Sequence, residues 1–341
     1  MKAWRVVRHG NPSTALEWLD VEPPEPGPGQ IRVRTVATAL NYNEVDGCYG
    51  RYRTVDPPLP YTLGMEVLGH VEATGPGCET WQGRRVAATA SGAFGAHAEL
   101  VVGDAAMAFE SPEGLSDPQA AAFFFPFHVA HVSLFERGHL QAGETLLVHA
   151  GAGGVGSAAI QLGAACGARV IATAGSPHKL DACREFGADI AIDYRTEDFA
   201  QRVVDETQGR GVDVVCDLVG GTVTQQSFRC LAPGGRLMMT GFSGGIEAED
   251  EGGLLPRPII FGNFSVGGVL MAYADKPLPV GHGVNVWPRS TGDAVQRHLL
   301  EWLDAGLIRP VVGRVASSSD LPVELERMEA RETVGRTILE W

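Results

Sequence analysis

The run TLLVHAGAGGVGSAAIQLGAACG, Thr145 to Gly167, constrains the fold of this chain more than any other stretch. A short apolar run ends at His149, Gly151, Gly153 and Gly156 then stand at GxGxxG spacing, and an amphipathic pattern follows that stops at Gly167. Each glycine has a physical task in a strand–turn–helix: a tight turn, close approach of main chain to a diphosphate, and close packing of helix on strand. The first turn of such a helix offers N–H groups without intrahelical partners and a partial positive charge, which favours an anion beside Gly153, Gly154, Val155 and Gly156. A dinucleotide site on an α/β fold is the expectation.

The surrounding rhythm supports that frame. The runs ETLLVHA, ARVIATA, ADIAID, VDVVCDLV, GRLMMTG and FSVGGVL are short and nearly continuous in apolar residues, with helical patterns between most of them. Such strands read as a doubly wound parallel sheet covered on both faces, predicted over 125–270. Residues 1–124 differ: QIRVRTVATAL, EVLGHVEATG, RRVAATA and HAELVV alternate and are separated by Gly and Pro clusters, the spacing of a β-rich domain. The segment 271–341 adds the helical pattern DAVQRHLLEWLDAG, the run IRPVVGRVA, a second helix DLPVELERMEA and the strand GRTILEW. It is too short for a core of its own and is expected to pack back on the first part.

Composition narrows the partners. The 341 residues carry a formal charge of −14, which argues against nucleic acid, whose non-specific binding comes mainly from Lys and Arg on phosphates. No apolar run approaches the roughly 20 residues that span a bilayer, and MKAWRVVRHGNPST lacks the apolar core of a signal peptide, so a cytoplasmic protein without membrane contact is expected. The six cysteines are scattered without a CxxC and read as free thiols; only Cys48 falls in a segment with candidate active residues.

The end of the second strand decides which dinucleotide. An NAD site places an Asp or Glu about 20 residues after the glycines, to accept from the ribose hydroxyls. Here RVIATA runs into AGSPHKLD, with Gly175, Ser176 and Lys179 and no carboxylate before Asp181. These groups admit or neutralise a 2′-phosphate, and Tyr194 and Arg195, after the third strand, stand where a side chain closes the same pocket. NADP, as NADPH, is the expected cofactor.

With ALNYNEVDGCYGRY, PPLPYTLGMEVLGHVEATG, GETLLVHAGAGGVGSAAIQLG, GVDVVCDLVGG, PGGRLMMTGF and ARETVGR in view, nearly the whole chain resembles the zinc-independent medium-chain dehydrogenase/reductases, and among them the NADPH:quinone oxidoreductases. The resemblance implies a Rossmann domain inserted in a partly barrel-like, GroES-like catalytic domain, with the nicotinamide reaching the cleft between them. It also implies a homodimer, a small quinone or enone substrate, and a 2′-phosphate surrounded by Lys179, Tyr194 and Arg331. The zinc relatives place a Cys, a His in a GHE segment and a later Cys on their catalytic metal; here Asn41 and Met65 hold the first two positions, and the stretch after Val86 has none of the clustered cysteines of a structural zinc site. No metal is expected, and His70 and His97 read as ordinary strand or loop residues.

Without a Lewis acid, hydride addition to a conjugated C=C–C=O system or a quinone is favoured over an isolated ketone, because the developing charge is spread. Tyr52, Asn41 and Tyr49 are the candidate catalytic residues: an amide donor to nicotinamide or substrate, and hydroxyls for the developing oxyanion. Tyr42, His128 and His131 are candidates for the substrate pocket. Two departures from the family pattern stand out: Tyr49 precedes Gly50 where an arginine is common, and Val129 takes the place of a threonine, flanked by His128 and His131, either of which titrates in the range for a donor or acid. Phe123 to Phe127 read as core or as the lining of a flat pocket, and the 243–263 and 273–293 segments as lids or subunit contacts. Two alternatives stay open: an enoyl-thioester reductase, and an NADPH-holding redox sensor without turnover.

Overall fold

The computed structural model describes residues 1–51, 57–244, 253–276 and 283–341. Two compact units emerge: Met1–Phe125 with Ala272–Asp293 and Pro310–Trp341, and Pro126–Met271 with Ala294–Arg309.

The first unit is built on a ring of strands. Gln30–Ala39, Glu66–Thr74, Arg85–Ala90 and Leu100–Glu110 pair antiparallel in succession, and the last pairs back on the first. The alternation of QIRVRTVATA explains how: Ile31 and Val33 point into a buried cluster with Val67, Val71, Val86 and Val101, while Arg32 and Arg34 point out and both reach Glu72. Small residues let the ring close tightly; a side chain at Gly69 would lie 2.0 Å from the Arg34 carbonyl. The strand Arg336–Glu340 joins antiparallel beside Gln30–Ala39, and Val312–Ser317 adds parallel to it. A second apolar cluster, including Leu40, Val45, Leu63, Leu321 and Leu339, seats the helices Tyr42–Tyr49 and Leu321–Glu329.

In the second unit all six predicted strands form one parallel sheet. Its order is Ile190–Asp193, Arg169–Ala174, Thr145–Val148, Val212–Asp217, Leu231–Met239, Ser265–Gly268, that is, third, second, first, fourth, fifth and sixth along the chain. This is the doubly wound order, whose strand carboxyl ends receive ligands where the order reverses, at the first strand. Thr145–Val148 and Val212–Asp217 are buried throughout, as a sheet covered on both faces requires. The helix Arg289–Asp304 buries Val295 and Leu299, and just beyond it Gln161 and Arg309 exchange two hydrogen bonds of 2.8 and 3.1 Å. Residues 294–309 therefore belong with the nucleotide-type sheet although the strands on either side of them, Trp287–Pro288 and Val312–Ser317, belong to the first unit.

Leu147 lies fully buried at the centre of this sheet, paired with Ile171 and Val215. Leu147→Ala should lower the unfolding free energy by about 2–5 kcal/mol through lost burial and a residual cavity. Urea denaturation followed by circular dichroism checks this; a loss below about 1 kcal/mol would mean that the sheet collapses into the space.

Candidate functional site

The glycine turn of the second unit is shaped by main chain alone. Ala150 adopts φ 50, in the left-handed region that non-glycine residues rarely enter. Its carbonyl accepts from Gly153 N at 3.0 Å and faces the helix, so that a Cβ on Gly156 would lie 2.2 Å from it. Gly151 is enclosed as well: a Cβ there would meet Cys183, Ala172 and Ile160 within 3.0 Å. Gly153 differs, since a Cβ on it would touch only the Ala150 carbonyl, at 3.3 Å. Gly153, Gly154 and Val155 are half-buried, at the start of the helix Gly154–Cys166, which ends on the left-handed Gly167. Two glycines thus serve packing, and the third leaves room outward, at a helix end that attracts an anion.

At the end of the second strand the structure brings Gly175, Tyr194 and Arg195 together, with Ser176 and Lys179 following, while Arg331 lies in the first unit. Gly175 packs under Tyr194 and Arg195: a Cβ on it would lie 2.6 Å from the Tyr194 hydroxyl and 3.1 Å from Arg195 Nε. Ser176 precedes the helix Pro177–Glu185, with its hydroxyl 3.2 Å from His178 Nδ1, and Lys179 is half-buried in the first turn of that helix. Tyr194 and Arg195 are exposed. Arg195, flagged only by its position after the third strand, shares this corner with Gly175.

The first unit gathers Asn41, Tyr42, Tyr49 and Arg331 around one short helix. Arg331, at φ 59 just past the helix Leu321–Glu329, sets its guanidinium 5.9 Å from the centre of the Tyr42 ring. Tyr49 donates to Glu329 at 3.2 Å while Arg51 stacks on its ring at 4.3 Å. Tyr52 lies outside the described residues.

Asn41 is buried, and both of its amide hydrogens are engaged, with Glu66 at 3.0 Å and the Ala39 carbonyl at 3.3 Å, while its oxygen accepts from Arg336 at 3.0 Å. Donating to a bound molecule would cost Asn41 one of these bonds. Glu66 and Arg336 form a buried ion pair. Burial pushes the Glu66 carboxyl up to about 7, against the opposing pull of Arg336 and Asn41. Glu44 extends the network, accepting from Asn41 N at 3.3 Å and Met65 N at 3.1 Å and lying 3.0 Å from His97 Nε2. His97 stands in a bend of the loop before Leu100–Glu110 and is fully buried between Glu44 and Thr38, whereas His70 is exposed on its strand. No periodicity could have found Glu66, Arg336 and His97 as partners, because they meet across strands distant in sequence.

In the second unit His128 and His131 lie buried on the helix Phe124–His131, Nε2 of His128 2.8 Å from Gln296 and Nε2 of His131 2.8 Å from His298. Burial first, then His298 and His128, drop the His131 pKa to about 3, so near neutral pH it offers a neutral imidazole. Phe123, Phe124 and Phe127 are buried.

The description of an alcohol dehydrogenase GroES-like domain matches residues 27–113, and that of a zinc-binding dehydrogenase matches residues 154–279. Across 347 aligned residues, 99% of each chain, the sequence is 33% identical to the quinone oxidoreductase of Pseudomonas aeruginosa. The crystal structure of Escherichia coli quinone oxidoreductase complexed with NADPH aligns with a TM-score of 0.86 at 28% identity, covering 100% of both chains. A mycocerosic acid synthase-like polyketide synthase of Mycolicibacterium smegmatis is 36% identical over 252 residues, 74% of this chain but 12% of that protein's length. Two matching domains in the right order and a full-length relative at this level of identity decide the question of kinship: the chain belongs to the medium-chain dehydrogenase/reductase family, in its quinone oxidoreductase group.

Proposed function

We propose that this chain is an NADPH-dependent oxidoreductase acting on a quinone or an α,β-unsaturated carbonyl compound without zinc. The observation that carries the reading is the glycine turn, closed by packing at Gly151 and Gly156 and open at Gly153, followed by a second strand that runs into Gly175 and a helix bearing Lys179, with no carboxylate before Asp181. The relatives support it, among them a quinone oxidoreductase complexed with NADPH.

When bound, NADPH supplies the hydride. The protein's share is to hold and orient. Gly154, Val155 and Gly156, in the first turn of the helix, present main-chain N–H groups to the diphosphate, and Gly153, whose own N–H is held by the Ala150 carbonyl, leaves room for it to approach. Ser176, Lys179, Tyr194 and Arg331 receive the 2′-phosphate, and Arg195, packed beside Tyr194 on Gly175, adds a second cation from the same unit. Tyr42, Tyr49 and Tyr52 remain the candidate hydroxyls for the substrate oxygen, with His128 and His131 in the pocket lining and Asn41 as the residue that anchors the start of the helix Tyr42–Tyr49.

Zinc, named in the description of one matching domain, does not fit the donor set. Asn41 spends its amide on Glu66, Ala39 and Arg336, Met65 offers a thioether, and a guanidinium already neutralises Glu66. Among the described residues no group of three or more His, Cys, Asp or Glu side chains is placed to hold a metal ion.

The finer reading includes compartment and assembly. All six cysteines are free thiols, as a reducing cytoplasm maintains them, and no helix among the described residues is long and apolar enough to cross a membrane. A homodimer is supported by the edge strand Ser265–Gly268, paired on one side only, and by the preceding helix Pro256–Gly262, which leaves Ile260 68% and Phe261 79% exposed.

A spectrophotometric screen of NADPH and NADH against quinones, enones, 2-alkenals and enoyl thioesters tests the activity. Oxidation of NADPH with quinones or enones is expected. Turnover confined to enoyl thioesters would replace this reading with the thioester reductase, to which the likeness to a polyketide synthase gives a place in the screen; cofactor binding without any turnover would replace it with the sensor. Lys179→Ala should raise KM for NADPH about tenfold and leave KM for NADH nearly alone, as expected for loss of one charge-assisted phosphate contact; equal effects on both would remove Lys179 from the phosphate pocket. For Glu66, the raised pKa means that the folded state binds its proton more tightly than the unfolded chain does. Its stability contribution is full below about 4.5 and lost as pH rises through about 7. Glu66→Gln, which mimics the protonated form, should therefore gain stability relative to the parent between these limits, read as a difference in Tm across pH; a constant difference would show that the carboxyl titrates normally.

A further inference from the structure

We propose that His149 is the positioning residue of the cofactor turn, its imidazole held between two hydroxyls so as to fix Ala150 and the carbonyl on which Gly153 and Gly156 are set. The inference rests on the reading of that turn as an NADPH site.

His149 follows the first parallel strand, is 1% exposed, and takes no part in the chemistry described above. Its Nε2 lies 2.8 Å from Ser227 Oγ and its Nδ1 3.0 Å from Thr173 Oγ1. The geometry settles the tautomer. Ser227 has one hydroxyl proton, and donates it to the Val223 carbonyl at 2.7 Å, so Ser227 must accept from His149 Nε2–H. Nδ1 is then bare and accepts the Thr173 hydroxyl proton. Desolvation holds the ring neutral against the opposing field of buried Asp217, and the Phe199 ring packs against it in a T-shaped arrangement, 4.8 Å between ring centres.

Thr173 acts twice. Its hydroxyl holds His149, and its carbonyl accepts from Gly151 N at 2.9 Å. The residues before and after Ala150 are thereby tied to one residue of the neighbouring strand, which keeps Ala150 in its left-handed conformation and aims its carbonyl at Gly153 and Gly156. Without the imidazole acceptor, Thr173 restrains the turn on one side only, and the N–H groups that would meet the diphosphate lose their fixed direction.

Four variants separate the two bonds: His149→Phe removes both, His149→Asn keeps an acceptor where Nδ1 stands, His149→Gln keeps a donor toward Ser227, and Thr173→Val removes the other partner of Nδ1. NADPH titrations followed by cofactor fluorescence should show Kd raised about tenfold in His149→Phe, His149→Gln and Thr173→Val, and within about threefold of the parent in His149→Asn. In steady state KM for NADPH should rise by more than kcat falls. Melting curves of the cofactor-free variants report folding separately; should His149→Phe fail to fold, Thr173→Val decides. Parental NADPH affinity in a folded Thr173→Val or His149→Phe variant overturns the proposal, as does an equal loss in His149→Asn and His149→Gln. A parent protein that binds no NADPH overturns the cofactor reading, and this proposal with it.

Discussion

Where the helix Gly154–Cys166 leaves the glycine turn, backbone meets backbone: the Ala150 carbonyl sits where any side chain at position 156 would have to be. That approach sets how closely the helix lies over the first two strands, and the second unit is arranged around it. Gly163, further along the same helix, repeats the theme, since a Cβ there would lie 2.6 Å from Leu146. A helix seated this near the sheet brings its positive end to the carboxyl ends of the strands, where the order of a doubly wound sheet reverses. The binding property is a by-product of packing, and the packing is written in residues that have no side chain.

The first unit depends on the opposite device, a group of charges buried together. Glu44, Glu66 and Arg336 are nearly inaccessible, and His97 wholly so. Placing such groups in a low-dielectric interior is expensive unless each finds partners, and the network around Asn41 supplies them: amide to carboxylate, guanidinium to amide and carboxylate, carboxylate to main-chain N–H. The result is a rigid seat for the helix that carries Tyr42 and Tyr49. Its elevated Glu66 carboxyl shows that pairing does not fully offset burial.

How much of this was legible in the sequence follows from what each feature demands. The parallel sheet was readable because strands covered on two faces must be apolar throughout, and the turn because only glycine tolerates the contacts found at 151 and 156. The corner at Gly175, Tyr194 and Arg195 was readable because the end of one strand and the start of the next loop lie side by side in any parallel sheet. Arg331 came through resemblance alone, and it sits beside Tyr42 in a conformation unusual for arginine. Asn41 was noticed for its amide, yet the partners that occupy that amide, Glu66 and Arg336, stand 25 and 295 residues away and leave no periodic trace. His149 was in plain view next to the glycines, but its meaning depends on Thr173 and Ser227, which only the fold brings to it.

The ring of strands in the first unit bears on how the molecule is made. Ala39 pairs with Ile338, so the strand Gln30–Ala39 emerges from the ribosome long before its neighbour on that side exists. Until then only its end, Ala37 to Ala39, lacks that neighbour, since Gln30 to Arg34 pair on Leu100–Glu110; an unpaired strand end is the kind of edge that recruits other chains. The parallel sheet, whose strands all lie between Thr145 and Gly268, is complete before Arg336–Glu340 is made. Synthesis therefore passes through a stage in which the parallel sheet has all its strands while the first unit still lacks its last two, and a nascent chain halted there keeps an open strand end for a chaperone to cover.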